Sequence, residues 1–108
     1  MNEQVKGSTV SVLHGDVILT FGDPNVFFYT IKDPSGIHAR PAGALVKLAQ
    51  QYQSRITFSS GEKTASADSI INIMSLGARQ GTKLKIEAHG EDAREALDAL
   101  HTYFRDSL

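Results

Sequence analysis

Apolar and polar positions divide this chain into short elements. Residues 9–13 and 17–21 are both rich in β-branched and aromatic side chains, which suit a pleated strand. His14, Gly15 and Asp16 separate them, so the pair reads as a β-hairpin. Gly22, Asp23, Pro24 and Asn25 form a turn, and residues 26–31 make a third strand. After Asp33, Pro34, Ser35 and Gly36, the spacing changes. Ala42, Leu45, Val46, Leu48, Ala49 and Tyr52 recur at helical intervals, with Lys47, Gln50 and Gln51 outside them. A helix over 39–52 follows. Residues 55–59 alternate as a half-buried strand does, and 63–67 make a weaker strand of small residues. Ser69 precedes a short helix over 70–74 as its N-cap, and Gly77 suits its stop. In 83–89, Leu84, Ile86 and Ala88 face one way while Lys83, Lys85 and Glu87 face the other. Glu91 and Asp92 open a last helix, with Ala93, Ala96, Leu97, Leu100 and Phe104 as its buried stripe.

From Val26 onward the order is β-α-β-β-α-β-α. Short connections and one-sided strands predict an α+β domain, a mostly antiparallel sheet with helices on one side. The 108 residues suffice for one such domain with a modest core. Residues 1–8 are polar and read as loose. No low-complexity run or fixed-period repeat is present.

Composition removes several function classes. Eleven basic residues against 12 acidic give a formal net charge of −1, which does not favour bulk nucleic acid or anionic membrane. There is no cysteine, so a disulfide framework, a thiolate nucleophile and a cysteine metal site are all excluded. Met1, Asn2, Glu3 and Gln4 lack a signal-peptide layout, and no apolar run approaches the roughly 20 residues of a membrane helix. The expected setting is cytoplasmic.

Chemistry concentrates at one place. Gly77-Ala78-Arg79-Gln80-Gly81 lacks the lysine and spacing of a phosphate-cradling loop. No nucleophile elbow or two-histidine helical metal motif occurs. His14, His89 and His101 are scattered and read as surface or structural residues. Phe27, Phe28 and Tyr29 read as core, since no basic excess accompanies them. His38 differs. Gly36 permits an unusual backbone angle just before it. Pro41 stands in the first helical turn, where a missing N–H costs little. Arg40 keeps its charge and pairs with phosphate oxygens. Helix N-termini present unpaired N–H groups and a partial positive charge, so they attract anions. That end also favours the neutral imidazole, the nucleophilic form. A capping or surface histidine is the plain alternative.

The run Gly36-Ile37-His38-Ala39-Arg40-Pro41-Ala42 closely resembles the active-site motif of the HPr family, histidine phosphocarriers of the bacterial phosphoenolpyruvate:sugar phosphotransferase system. Ala65-Ser66-Ala67-Asp68-Ser69-Ile70, then Met74-Ser75-Leu76-Gly77, then Gln80-Gly81 and Gly90-Glu91-Asp92, resemble later stretches of that family in the right order. The resemblance spans about 26–108. It implies an open-faced β-sandwich, a four-stranded antiparallel sheet with three helices on one face, here preceded by an extra β-hairpin. It also implies that His38 takes a phosphoryl group on Nδ1 from enzyme I and passes it to enzyme IIA, with Arg40 and the backbone N–H groups of Ala39 and Arg40 stabilising it. Such a carrier needs no metal or organic cofactor, and is a phosphohistidine intermediate rather than an independent enzyme.

Further expectations follow from the resemblance. Ser69 maps onto the regulatory serine that an HPr kinase/phosphorylase modifies in many Gram-positive members, controlling a catabolite-control transcription factor. Here Asp68 stands where the family commonly has lysine. Ile71 and Met74 form an exposed docking patch beside His38, with Lys47 as a charged rim. An alternative function is a regulatory interaction module whose phosphorylation controls a transcription factor or metabolic enzyme. Residues 1–25 have no counterpart in the resemblance. Their hairpin is expected to pair along the 26–32 edge, to cover the open sheet face beside Phe28, or to exchange with a second copy in a homodimer.

Overall fold

The computed structural model describes residues 25–108 in full and, before them, the backbone of 12–14 and 17–19. Two short strands, β1 (Val12–His14) and β2 (Val17–Leu19), pair antiparallel with His14 opposite Val17. The expected strand residues 9–11 and 20–21, the turns at 15–16 and 22–24, and the polar stretch 1–8 lie outside the described residues. The hairpin is a separate two-stranded sheet, and β2 runs close to the next strand.

That strand is β3 (Val26–Thr30). It is followed by α1 (Ala39–Ala49), β4 (Arg55–Ser60), β5 (Lys63–Ser66), α2 (Ile70–Ser75), β6 (Lys83–His89) and α3 (Ala93–Ser107). The sheet order is β3-β6-β4-β5, antiparallel throughout. Chain neighbours β3 and β4 are therefore parallel, with β6 between them. β5 and β6 are likewise parallel, with β4 between them. Two interleaved βαβ crossovers result. Crossovers of one hand put their helices on one side of a sheet. α1 and α2 accordingly touch, and α3 packs on β6, α1 and β3.

Strand alternation decides what faces the helices. Leu84, Ile86 and Ala88 of β6 are fully buried, as are Phe58 of β4 and Ala42, Leu45, Ile73, Leu100 and Phe104 of the helices. Each large side chain among them contributes roughly 1.5–3 kcal/mol of burial. Phe104 is the hub. Its ring centroid lies 5.4 Å from that of Tyr29, 5.8 Å from Phe58 and 6.2 Å from Phe27.

Two expectations change. Of the three neighbouring aromatics, Phe27 and Tyr29 enter the core, but Phe28 is 41% exposed on the open face, with Lys83 Nζ 5.2 Å from its ring centroid. A two-residue period allows nothing else. α1 ends at Ala49, not Tyr52, because Gln51 and Tyr52 donate to Leu48 and Ala49, tightening the last turn three residues back.

Candidate functional site

β3 delivers the chain to an anchored loop. The Ile31 N–H donates to Thr82 O, and the Gly81 N–H donates back to Ile31 O. The N–H groups of Lys32 and Asp33 both donate to Leu108 O, tying the loop to the end of α3. Asp33 Oδ1 accepts from Ser35 N at 2.7 Å, and Asp33 O accepts from Gly36 N at 2.9 Å. Gly36 has φ 63°, a left-handed angle that side chains resist. A Cβ there would lie 2.5 Å from Ala78 O. Glycine therefore lets the loop press against 78–79, where Ile37 N donates to Ala78 O at 3.0 Å. Ile37 is buried.

These contacts set His38 at the N-cap of α1. Its backbone is extended (φ −100°, ψ −167°), and its side chain makes no capping hydrogen bond. The first helical bond runs from Ala42 N to His38 O, at 3.0 Å. Pro41 has no N–H. Two backbone donors remain at this helix mouth, Ala39 and Arg40, and no hydrogen bond from either occurs among the described residues. His38, Ala39 and Arg40 are all exposed. Ion pairs among the described residues join Lys85 and His89 to Glu87, and Arg105 to Asp106; the Arg40 guanidinium is in none. It is thus available for an external anion.

An open hollow of about 610 Å³ adjoins these groups. His38 and Arg40 line it together with Asp33 and with Tyr103 and Ser107 of α3. Asp33, Tyr103 and Ser107 were not legible as site residues. They are 5 residues before and more than 60 after His38 in the chain, and it is the packing of α3 on α1 and the sheet, with the bonds to Leu108 O, that brings the end of α3 alongside.

Ser69 caps α2, its Oγ accepting from Asn72 N at 3.2 Å. The short helix buries Ile73 fully and leaves Ile70 42%, Ile71 78% and Met74 42% exposed. Ile70 sits over Gly43, where a Cβ would meet its Cδ1 at 3.7 Å. Lys47 is exposed one turn beyond Gly43 on the same side of α1. Ile70 and Lys47 thus lie along the same side of α1, and Ile71 and Met74 are exposed on the same short helix as Ile70. Ser69 stands at the N-cap of α2 and does not line the His38 hollow.

Asp92 has a different role from the expected one. It precedes α3, yet its carboxylate makes no helix cap. It accepts from the Ser54 hydroxyl, the Gln53 N–H and the Ser54 N–H, pinning the chain before β4 to the start of α3. The Ser54 hydroxyl, then the Gln53 N–H, hold its carboxyl below the usual 3.8. His101 is buried, edge-on to Phe27 at 5.2 Å, as a structural residue. No helix among the described residues is long and apolar enough to cross a membrane.

The fold and the exposed histidine cap define a small one-sided α+β domain built to present one imidazole at a helix mouth. Comparison with known proteins agrees. Residues 27–106 match the family model described as the PTS HPr component phosphorylation site. The chain is 40% identical over 74 residues to the phosphocarrier protein HPr of Mycoplasma capricolum, covering 68% of this chain and 83% of that one. It is 42% identical over 74 residues to HPr of Lysinibacillus sphaericus, covering 68% and 84%. Among solved structures it is similar to HPr-C-His of Thermoanaerobacter tengcongensis, with TM-score 0.71 and 39% identity over 74% of this chain and 90% of that one. HPr of Bacillus anthracis superposes with TM-score 0.69 and 35% identity, over 73% and 94%. The chain belongs to the HPr family of phosphocarriers of the phosphotransferase system.

Proposed function

We propose that His38 is the phosphoryl acceptor, taking phosphate from enzyme I and passing it to an enzyme IIA domain. The observation that carries this reading is the helix mouth itself. Among the described residues, a histidine with no capping bond stands beside two unbonded backbone donors and an arginine outside every ion pair. In the forward step the Nδ1 lone pair attacks phosphorus. The Nδ1–P bond forms, the bond from phosphorus to the donor breaks, and Nε2 keeps its proton. The Ala39 and Arg40 N–H groups donate hydrogen bonds to the phosphoryl oxygens, and the Arg40 guanidinium completes the set. On delivery, a nucleophile of enzyme IIA forms a bond to the same phosphorus, the Nδ1–P bond breaks, and its electron pair returns to Nδ1.

Docking falls to the exposed face of α2 and the adjoining side of α1, where Ile70, Ile71 and Met74 are apolar and Lys47 supplies a rim charge. Residues 26–108 serve as the carrier domain, and 1–25 as an extension that carries the hairpin. The working place of such a carrier is the cytoplasm, where its partners meet it.

Incubation with phosphoenolpyruvate and enzyme I tests the site. The intact protein gains one phosphoryl group in an acid-labile linkage, and His38→Ala gains none. Label that persists in His38→Ala refutes the assignment.

A further inference from the structure

The hollow beside His38 contains charges of both signs, and they differ in freedom. Arg40 is an exposed, long side chain in no ion pair among the described residues. Asp33 is held at three points. Its N–H donates to Leu108 O at 2.9 Å, its carbonyl accepts from Gly36 N at 2.9 Å, and its Oδ1 accepts from Ser35 N at 2.7 Å. One cation can adjust; one anion cannot withdraw. A phosphoryl group on His38 would bring about two negative charges into the same hollow as that carboxylate.

Resting on the carrier reading above, we propose that Asp33 is a positioning charge for the phosphoryl group. Its fixed carboxylate keeps phospho-His38 destabilised and hence eager to transfer. Like charges close together disfavour the charged form that crowds them. Across a separation of ~10 Å, a single charge against a dianion in a watery site changes an equilibrium by about threefold to tenfold. Arg40 and the helix mouth stabilise the phosphoryl group, and Asp33 opposes them. The balance keeps the bond from becoming a thermodynamic trap. No bond is made or broken by Asp33 itself, which acts through space on the Nδ1–P linkage.

Asp33→Asn separates charge from shape, since an amide oxygen still accepts from Ser35 N. The measurement is the equilibrium constant for phosphorylation of the full chain by phosphoenolpyruvate and enzyme I, read by intact mass at a set phosphoenolpyruvate-to-pyruvate ratio. At low salt, Asp33→Asn raises this constant about threefold to tenfold over the wild type. The gap narrows in high salt, because screening weakens an exposed charge pair but leaves a loop contact unchanged. Asp33→Ser, whose hydroxyl can also accept from Ser35 N, gives the same shift and guards against a folding defect in the amide variant. Equal constants for wild type and both variants at low salt overturn the proposal, as does a gap that ignores salt. A wild-type protein that takes no phosphate on His38 refutes the carrier reading instead, which keeps the two failures distinct.

Discussion

Gly36→Ala perturbs the loop before His38 directly. Two glycines share nearly the same backbone angle, Gly36 at φ 63° and Gly61 at φ 62°. An alanine at either position meets the left-handed penalty, about 1–2 kcal/mol. Loss of freedom in the unfolded chain offsets about 0.4–1 kcal/mol of that. Gly61→Ala should therefore cost ~1 kcal/mol, since its new Cβ meets nothing within 4 Å. At Gly36 the same methyl would lie 2.5 Å from Ala78 O and 2.7 Å from Arg79 Cα. Both are backbone atoms, and Ala78 O already accepts from Ile37 N. Relief means parting the two loops and losing that bond, which adds about 1–3 kcal/mol of overpacking strain. The expected total is ~3 kcal/mol, or a melting temperature ~15 °C lower at ~5 °C per kcal/mol. Urea unfolding followed by circular dichroism, run on both variants side by side, measures the difference. If Gly36→Ala falls within ~1 kcal/mol of Gly61→Ala, the close approach of the two loops does not support the histidine loop as argued.

Two further predictions concern other parts of the molecule. Asp92→Ala lowers the melting temperature near neutral pH, because three donors at Gln53 and Ser54 lose their acceptor. A carboxyl held below its ordinary 3.8 stabilises the fold above that value and loses the contribution as pH falls through its folded value. The gap between wild type and Asp92→Ala should thus be constant above about pH 5 and shrink on acidification below 3.8, as thermal melts across that range will read. A gap that stays constant down to pH 2 contradicts the linkage. Ile71→Glu leaves stability nearly unchanged, since Ile71 is 78% exposed. It weakens productive encounter with enzyme I by about tenfold, the effect of losing one apolar anchor. Steady-state phosphorylation at varied protein concentration reads this as a higher KM, and an unchanged KM removes α2 from the docking face.

Much of this protein follows from local chemistry. The period of two in 83–89 and the period near 3.6 in the three helices depend only on backbone geometry, so the elements from Val26 onward were legible with small boundary shifts. The position proposed to carry phosphate was legible for the same reason. A glycine, a histidine, an arginine and a proline within six residues specify a loop and a helix mouth with no help from distant chain. Tertiary structure decided the rest. The strand order β3-β6-β4-β5 pairs the first strand of the sheet with the last, a choice made by burial of both apolar faces under shared helices, not by neighbours in the chain. Phe28 and Phe27 are adjacent residues of one type, and only the side of the sheet that the helices cover separates their fates. Asp92 reads locally as a helix opener, yet the arrival of Gln53 and Ser54 from 38–39 residues away makes it a clamp. The hollow beside His38 is the clearest case. Its histidine could be found in the sequence, but Tyr103 and Ser107 reach it only because α3 packs back on α1 and the sheet, where the Lys32 and Asp33 N–H groups find Leu108 O.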